Sequence, residues 1–236
     1  MHDLTKIVAA NLARVRDEIA TAARAAGRRP EDIRLIAVSK THPPEAVAAA
    51  IAAGQTDFGE NTVQEALTKI PLYASVTWHM IGHLQSNKTK FVPGHFAWVH
   101  SIDSLKLAQR LSRQAAEKGV VLDALFEVNV TRDPAKHGLA PEELAPVLDA
   151  LLKEDHPGLR LRGLMTIGPY PAPEADSRAC FARLRELRDE CRKRFGLRDF
   201  TELSMGMSGD YAAAIKEGST MVRIGTAIFG ERDYSK

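Results

Sequence analysis

The chain has 236 residues, enough to bury a substantial core in one large domain or two small ones. Its 32 Lys and Arg stand against 30 Asp and Glu, a near-balance that excludes a general polyanion-binding surface. Although 44% of residues are hydrophobic, no apolar run approaches the roughly 20 residues that cross a bilayer, and the mixed-charge start Met1-His2-Asp3-Leu4 is not a signal peptide, so a cytoplasmic protein is expected.

Residues 5–26 repeat Ile7, Val8, Leu12, Val15, Ile19, Ala22 and Ala23 at helical spacing, and Gly27 stops the run. From residue 33 onward strand-like and helix-like segments alternate. Ile33 to Lys40 is rich in branched aliphatics and is closed by Pro43-Pro44, so it reads as a buried strand with Lys40 at its C-terminal edge. An alanine-rich helix at 44–53 follows, then a strand at 56–59, a helix at 62–70, a strand at 77–81 and a short helix near 86–91. Strand 97–101 leads into a helix capped by Asp103 and running to about 118. Strand 122–130 passes through the polar loop 131–138 to a helix opening Pro141-Glu142-Glu143. Strand 161–167, helix 174–195, strand 201–204, helix 210–217 and strand 221–224 complete the series, with a turn at 226–229. About eight βα units behind one extra helix imply a parallel sheet. That count, with no Gly-x-Gly-x-x-Gly fingerprint after the first strand, favours a single (β/α)8 barrel domain over residues 1–236 rather than an open doubly wound sheet.

Closure of a barrel brings the strand C-terminal ends to one mouth, where ligand chemistry gathers. Those ends are Lys40, Gly59-Glu60-Asn61, Gly82 to Gln85, His100-Ser101, Asn129, Thr166 to Gly168, Ser204 to Gly206 and Arg223 to Thr226. Small, hydroxyl, amide and cationic residues dominate, as a phosphate-bearing ligand requires. The segments Leu203 to Asp210 and Met221 to Thr226 fall where barrels place a phosphate site, after strands 7 and 8. A primary amine held half out of water, as at Lys40, suits Schiff-base formation with an aldehyde. Asn61 reads either as a ligand contact or as the N-cap of helix 62–70, with the cap favoured.

Other residues read more plainly. His79 and His83, four apart on a strand, lie about 13 Å apart and cannot share a metal; no metal is expected, with His79 packed in its strand and His83 at the mouth. The loop Thr131 to Gly138 reads as a flap or, slightly preferred, as a solvated loop. Cys180 and Cys191 sit 11 residues apart in one helix, a rise of about 16 Å that forbids a disulfide. The basic run Arg183 to Arg198 is broken by Glu186, Asp189 and Glu190, so it reads as an exposed helix face and not a nucleic-acid site.

Read in order, the mouth segments resemble the pyridoxal-phosphate homeostasis protein family. The matching stretches are Ala37 to Thr41, Phe58 to Asn61 with Gln64-Glu65, Trp78 to Lys88, Lys136 to Gly138, Arg162 to Ile167, Leu203 to Ser208 and Met221 to Gly230. They run in register from about residue 30 to 230. Two rim positions depart from common family versions: His83 where proline is frequent, and Gly209 where an acidic residue is frequent.

The resemblance implies a fold-type III barrel like the N-terminal domain of alanine racemase, binding pyridoxal 5'-phosphate. It implies that Lys40 takes the cofactor's aldehyde, that Ser204, Gly225 and Thr226 contact its phosphate, and that Asn61 and Arg223 meet its ring side and pyridine nitrogen. It further implies a carrier or buffer of the cofactor that influences amino-acid and keto-acid balance, with apo-enzymes using that cofactor as candidate recipients. Little catalysis is expected, because the racemases take an acid/base group from a C-terminal β-domain and this sequence ends at Lys236. The alternative is an amino-acid racemase or related enzyme whose second base is His83, Lys136 or His137. No dimer seam is marked, so a monomer is expected.

Overall fold

A computed structural model describes residues 2–231. Eight parallel strands close a barrel in sequence order: β1 (Arg34–Val38), β2 (Asp57–Glu60), β3 (Thr77–Met80), β4 (Trp98–Ile102), β5 (Leu122–Glu127), β6 (Leu159–Met165), β7 (Glu202–Ser204) and β8 (Met221–Ile224). Helices α1 (His2–Ala25), α2 (Pro44–Ala52), α3 (Val63–Lys69), α4 (Leu105–Glu117), α5 (Pro141–Leu151), α6 (Glu174–Phe195), α7 (Tyr211–Lys216) and α8 (Thr226–Phe229) surround it. The expected architecture is therefore present, with the extra helix in place.

Each helix is where its apolar periodicity demands. On α1 the stripe Val8, Leu12, Val15, Ile19 and Ala23 is buried, the one-face pattern of an amphipathic helix. It seals the seam between the first and last units, with Asn11 on its flank donating to the Ile228 carbonyl and Arg28, beyond its C-terminal turn, donating to the Ile215 and Ser219 carbonyls. The long helix α6 is stopped by Gly196 in the left-handed conformation. Its basic face is neutralised locally, with Arg183 on Glu186 and Glu190 and Arg185 on Glu217, as expected of a solvated helix. Both cysteines are free and buried.

Three local expectations are corrected. The helix expected at 86–91 is one 3-10 turn, Thr89–Phe91. Helix α4 is capped by Ser104, whose hydroxyl accepts from the Leu107 amide, leaving Asp103 outside the helix. The N-cap of α3 is Thr62 rather than Asn61; its hydroxyl accepts from the Glu65 amide. Both caps satisfy an orphan amide of the first turn. The two cap corrections leave Asn61 and Asp103, each just after a strand, outside the capping role.

Side chains alternate between the helix layer and the barrel interior with the two-residue period of a strand. Most of the apolar core lies between strands and helices. A second, smaller cluster fills the interior, built from Ile36, Trp98, Leu125, Met165 and Met221. Arg34 covers one end of it, its guanidinium 5.1 Å from the Trp98 ring centre. Above the apolar plug the interior becomes polar.

Candidate functional site

Strand register decides which residues meet. In β1 and β2, Val38 pairs with Gly59, so two residues further on Lys40 stands level with Asn61. In β1 and β8, Ala37 pairs with Ile224, which sets Gly225 and Thr226 beside the end of β1. Gly225 lies against that end: a Cβ there would sit 3.2 Å from the Val38 carbonyl oxygen. Between β7 and β8 the Arg223 amide donates to the Gly206 carbonyl at 2.9 Å, so the turn after β7 lies against β8. Lys40, Asn61, Gly225 and Thr226 therefore share one rim, and Lys40 is half-buried there.

The peptide before Lys40 is clamped from behind. Lys69, 2% exposed, donates from Nζ to the Ser39 carbonyl at 2.8 Å, to Glu60 at 2.8 Å and to Glu65 at 2.7 Å. The Ser39 hydroxyl donates to the same Glu60 oxygen at 2.6 Å, and the Thr41 amide, in a left-handed residue, donates to Glu65. Burial raises the Glu60 carboxyl, overriding the attraction of Lys69. The other Glu60 oxygen, Oε2, is buried without a partner. Sequence reasoning passed over Lys69. Its only signal is the i, i+4 spacing from Glu65 on a helix, a pattern usual for exposed pairs.

A second network runs along the interior toward the mouth. Asp57 lies 3.0 Å from His79 Nε2, His79 Nδ1 lies 3.0 Å from His100 Nε2, and His100 Nδ1 lies 2.8 Å from Ser204 Oγ. Arg223 Nη1 donates to Ser204 Oγ at 2.7 Å, and its Nη2 to the Thr166 carbonyl at 2.9 Å. Every proton in the chain is assigned by its two ends. A carboxylate accepts, so His79 Nε2 carries a hydrogen and Nδ1 a lone pair. His100 Nε2 must then donate and its Nδ1 accept, so the Ser204 hydroxyl donates to His100 while accepting from Arg223. Burial lowers both imidazoles, His100 well below its ordinary value, where the neighbouring charges of Arg223 and Arg34 add to the effect. Burial would raise Asp57, but the hydrogen bonds from His79 and Thr56 and the nearby Arg34 charge hold it low. Both histidines are therefore neutral, in single tautomers.

The Ser204 hydroxyl is fully buried and engaged on both sides, by His100 and by Arg223, so it helps to position Arg223. The backbone around it remains suited to an anion. In α8 the helical ladder begins with Ile228 donating to Gly225, leaving the Thr226 and Ala227 amides ahead of it.

Arg223 is 5% exposed. Burial draws its guanidinium down to about 10, against the pull of Glu127 and Asp210, so it stays charged at neutral pH. Glu127, at the end of β5 and 4% exposed, is pushed up to about 7 by burial, with Arg223 pulling it down and Asp103 raising it. Its single-residue signal in the sequence was nil, since it looks like any strand-end carboxylate. Asn129, placed at the mouth by the sequence, instead ties the following loop: its amide donates to the Asp133 carbonyl at 2.8 Å and its carbonyl accepts from the Asp133 amide. The loop 131–138 is thus internally braced, and Lys136 reaches the Gly168 carbonyl at 2.9 Å. His83 lies on the rim as expected, His79 inside the barrel.

The donor set fits a small phosphorylated aldehyde: one amine at the rim, one buried cation, an amide side chain and outward backbone amides on adjoining strands. Comparison with known proteins agrees. The sequence matches the alanine racemase N-terminal domain family over residues 10–233. It is 51% identical over 229 residues to the pyridoxal phosphate homeostasis protein of Pseudomonas aeruginosa, covering 96% of each chain. The chain belongs to the pyridoxal phosphate homeostasis protein family. Among solved structures, PipY of Synechococcus elongatus with pyridoxal phosphate bound superposes with a TM-score of 0.83 at 38% identity, over 94% of this chain and all of PipY. Alanine racemase of Clostridium difficile shares the fold at a TM-score of 0.73 and 16% identity, over 96% of this chain and 57% of the racemase. No described helix is long and apolar enough to cross a membrane.

Proposed function

We propose that this family member binds pyridoxal 5'-phosphate at the barrel mouth and holds it as a carrier or buffer of the cofactor, acting as a monomer. The observation that carries this is the register that sets Lys40 level with Asn61 on one side and Gly225-Thr226 on the other, with Arg223 buried inside the same mouth. In this reading Lys40 supplies the amine for the aldehyde, Asn61 lies along the ring and Arg223 faces the pyridine nitrogen. Gly225, Thr226 and the turn after β7 receive the phosphate; Ser204 takes part through Arg223. When bound, the cofactor supplies an electrophilic aldehyde conjugated to an electron-withdrawing ring.

The protein's own groups favour holding over turnover. A guanidinium charged at neutral pH and fixed by Ser204 and Thr166 disfavours a proton on a nitrogen beside it, which weakens the ring as an electron sink. Lys69 fixes the peptide that carries Lys40. The test is borohydride reduction of protein incubated with the cofactor, followed by peptide mass mapping. Covalent label on the Lys40 peptide, and absorbance near roughly 420 nm lost on reduction, is the expected result. Label elsewhere, or unchanged label in Lys40→Ala, overturns the assignment.

One observation favours a second reading, a racemase or related enzyme. Glu127, with its carboxyl pushed up to about 7, has the proton affinity of a general acid or base at neutral pH, and Lys136, His83 and His137 stand on the rim. Chiral analysis of amino acids incubated with the loaded protein separates the readings. Lys40-dependent racemisation at ordinary enzyme rates would establish the second.

A further inference from the structure

Three rim side chains stand outside both networks: His83 after β3, Asp103 after β4 and His137 in the loop after β5. One nitrogen or carboxylate oxygen from each lies within 4.8 Å of the other two. His83 Nδ1 is 3.2 Å from Asp103 Oδ2. The His83 and His137 rings stack with centroids 3.8 Å apart and 12° between planes. Bonds of about 2.0–2.1 Å to a tetrahedral centre set neighbouring ligand atoms about 3.3 Å apart. The His83–Asp103 pair already stands at that separation, and the exposed His137 ring needs only a rotation to complete the bite.

We propose that His83, Asp103 and His137 form a binding site for a divalent transition-metal cation of the zinc class, which clasps the loop 131–138 to the barrel rim. The ligand set selects the ion. Two imidazoles and one carboxylate suit zinc, nickel or copper, whereas magnesium and calcium take all-oxygen sets. With three protein ligands the fourth position faces solvent and takes water.

The backbone holds the ligands in place. Gly82, next to His83, packs so closely on the Asn61 backbone that no side chain fits there. Gly138, next to His137, has φ +108° and would set a Cβ 2.9 Å from the Asn129 nitrogen. Beyond it the Leu139 amide donates to the Glu127 carbonyl at 2.8 Å, and the Asn129 amide to the Leu139 carbonyl at 2.9 Å. Asp103 follows directly on β4, freed because Ser104 caps α4. His83 and Asp103 thus follow the ends of two successive strands and His137 comes from the braced loop after the next, so a cation across them joins three units. The site rests on this rim geometry alone and stands whether or not the cofactor reading does.

The test is equilibrium dialysis of the metal-stripped full chain against zinc sulfate, with magnesium as a competitor. The expected result is one zinc per chain, not displaced by millimolar magnesium. His83→Ala, Asp103→Asn and His137→Ala each weaken binding by about tenfold or more, while His95→Ala, on another surface, leaves it unchanged. All four positions are on or near the surface, and circular dichroism confirms folding. As a second readout, zinc slows tryptic cleavage after Arg132 and Lys136 by about fivefold in the parent chain but not in the His83→Ala, His137→Ala double variant. Absence of saturable zinc binding, or zinc binding unchanged in that double variant, overturns the proposal and leaves a hydrogen-bonded histidine–aspartate cluster.

Discussion

Replacing Glu127 with Gln keeps the shape of a buried strand-end side chain and removes its charge. Burial lifts this carboxyl from 4.5 to about 7, with Arg223 opposing and Asp103 adding to the rise. Below about pH 4.5 the folded and unfolded chains both hold the proton, so Glu127 contributes nothing to the pH dependence. Between 4.5 and 7 the unfolded chain releases the proton while the folded chain retains it, and stability falls by about 1.4 kcal/mol per pH unit. Above 7 the cost is complete; a gap of about 2.5 pH units corresponds to about 3 kcal/mol. His79 and His100 act in the opposite sense. Kept neutral below their ordinary value, they stabilise the native state above about pH 6.5, and that stability is lost as pH falls below it. Their share is common to parent and variant and cancels in the difference. Urea unfolding of cofactor-free protein from pH 4 to 8 reads it. Glu127→Gln should match the parent at pH 4 and exceed it by about 3 kcal/mol at pH 8. An offset that does not change with pH, or a variant less stable at pH 8, refutes the argument that burial dominates at Glu127.

The two buried networks yield further expectations. Lys69→Met leaves Glu60 buried without its cation and should cost about 3–5 kcal/mol in urea unfolding at pH 8. Adding Glu60→Gln should restore much of it, and a single-variant loss under about 1 kcal/mol would show that the clamp behind Lys40 is not a strong one. Ser204→Ala strands Arg223 Nη1 and His100 Nδ1 inside the barrel, an expected loss of about 1–3 kcal/mol. It should also weaken cofactor retention through a displaced Arg223; unchanged retention in dialysis would separate Ser204 from the site.

Much of the architecture was legible in the chain itself because it rests on local pattern. The period-3.6 stripe of α1, the branched-aliphatic run ending at Lys40 and the repeated strand–helix alternation are properties of neighbours in sequence, and they suffice for the barrel count. The family stretches around Lys40, Asn61 and Arg223 were likewise contiguous and readable. What stayed hidden depends on residues far apart in the chain. Lys69 looks like the partner of an exposed helical pair until folding buries it under Ser39 and Glu60. Ser204 shows nothing in sequence of its ties to His100, 104 residues earlier, which takes its proton, and to Arg223, which donates to it. Glu127 carries no mark at all, since its proton affinity is set by burial, and burial is a property of the closed barrel. His83 was set aside as a metal ligand because its sequence neighbour His79 faces too far away, yet across the rim it meets Asp103 and His137. Sequence alone determined the order of strands and helices and the cofactor family, through period and contiguous motif; only closure of the barrel decided which buried charges meet, because register between strands brings together side chains that no local pattern connects.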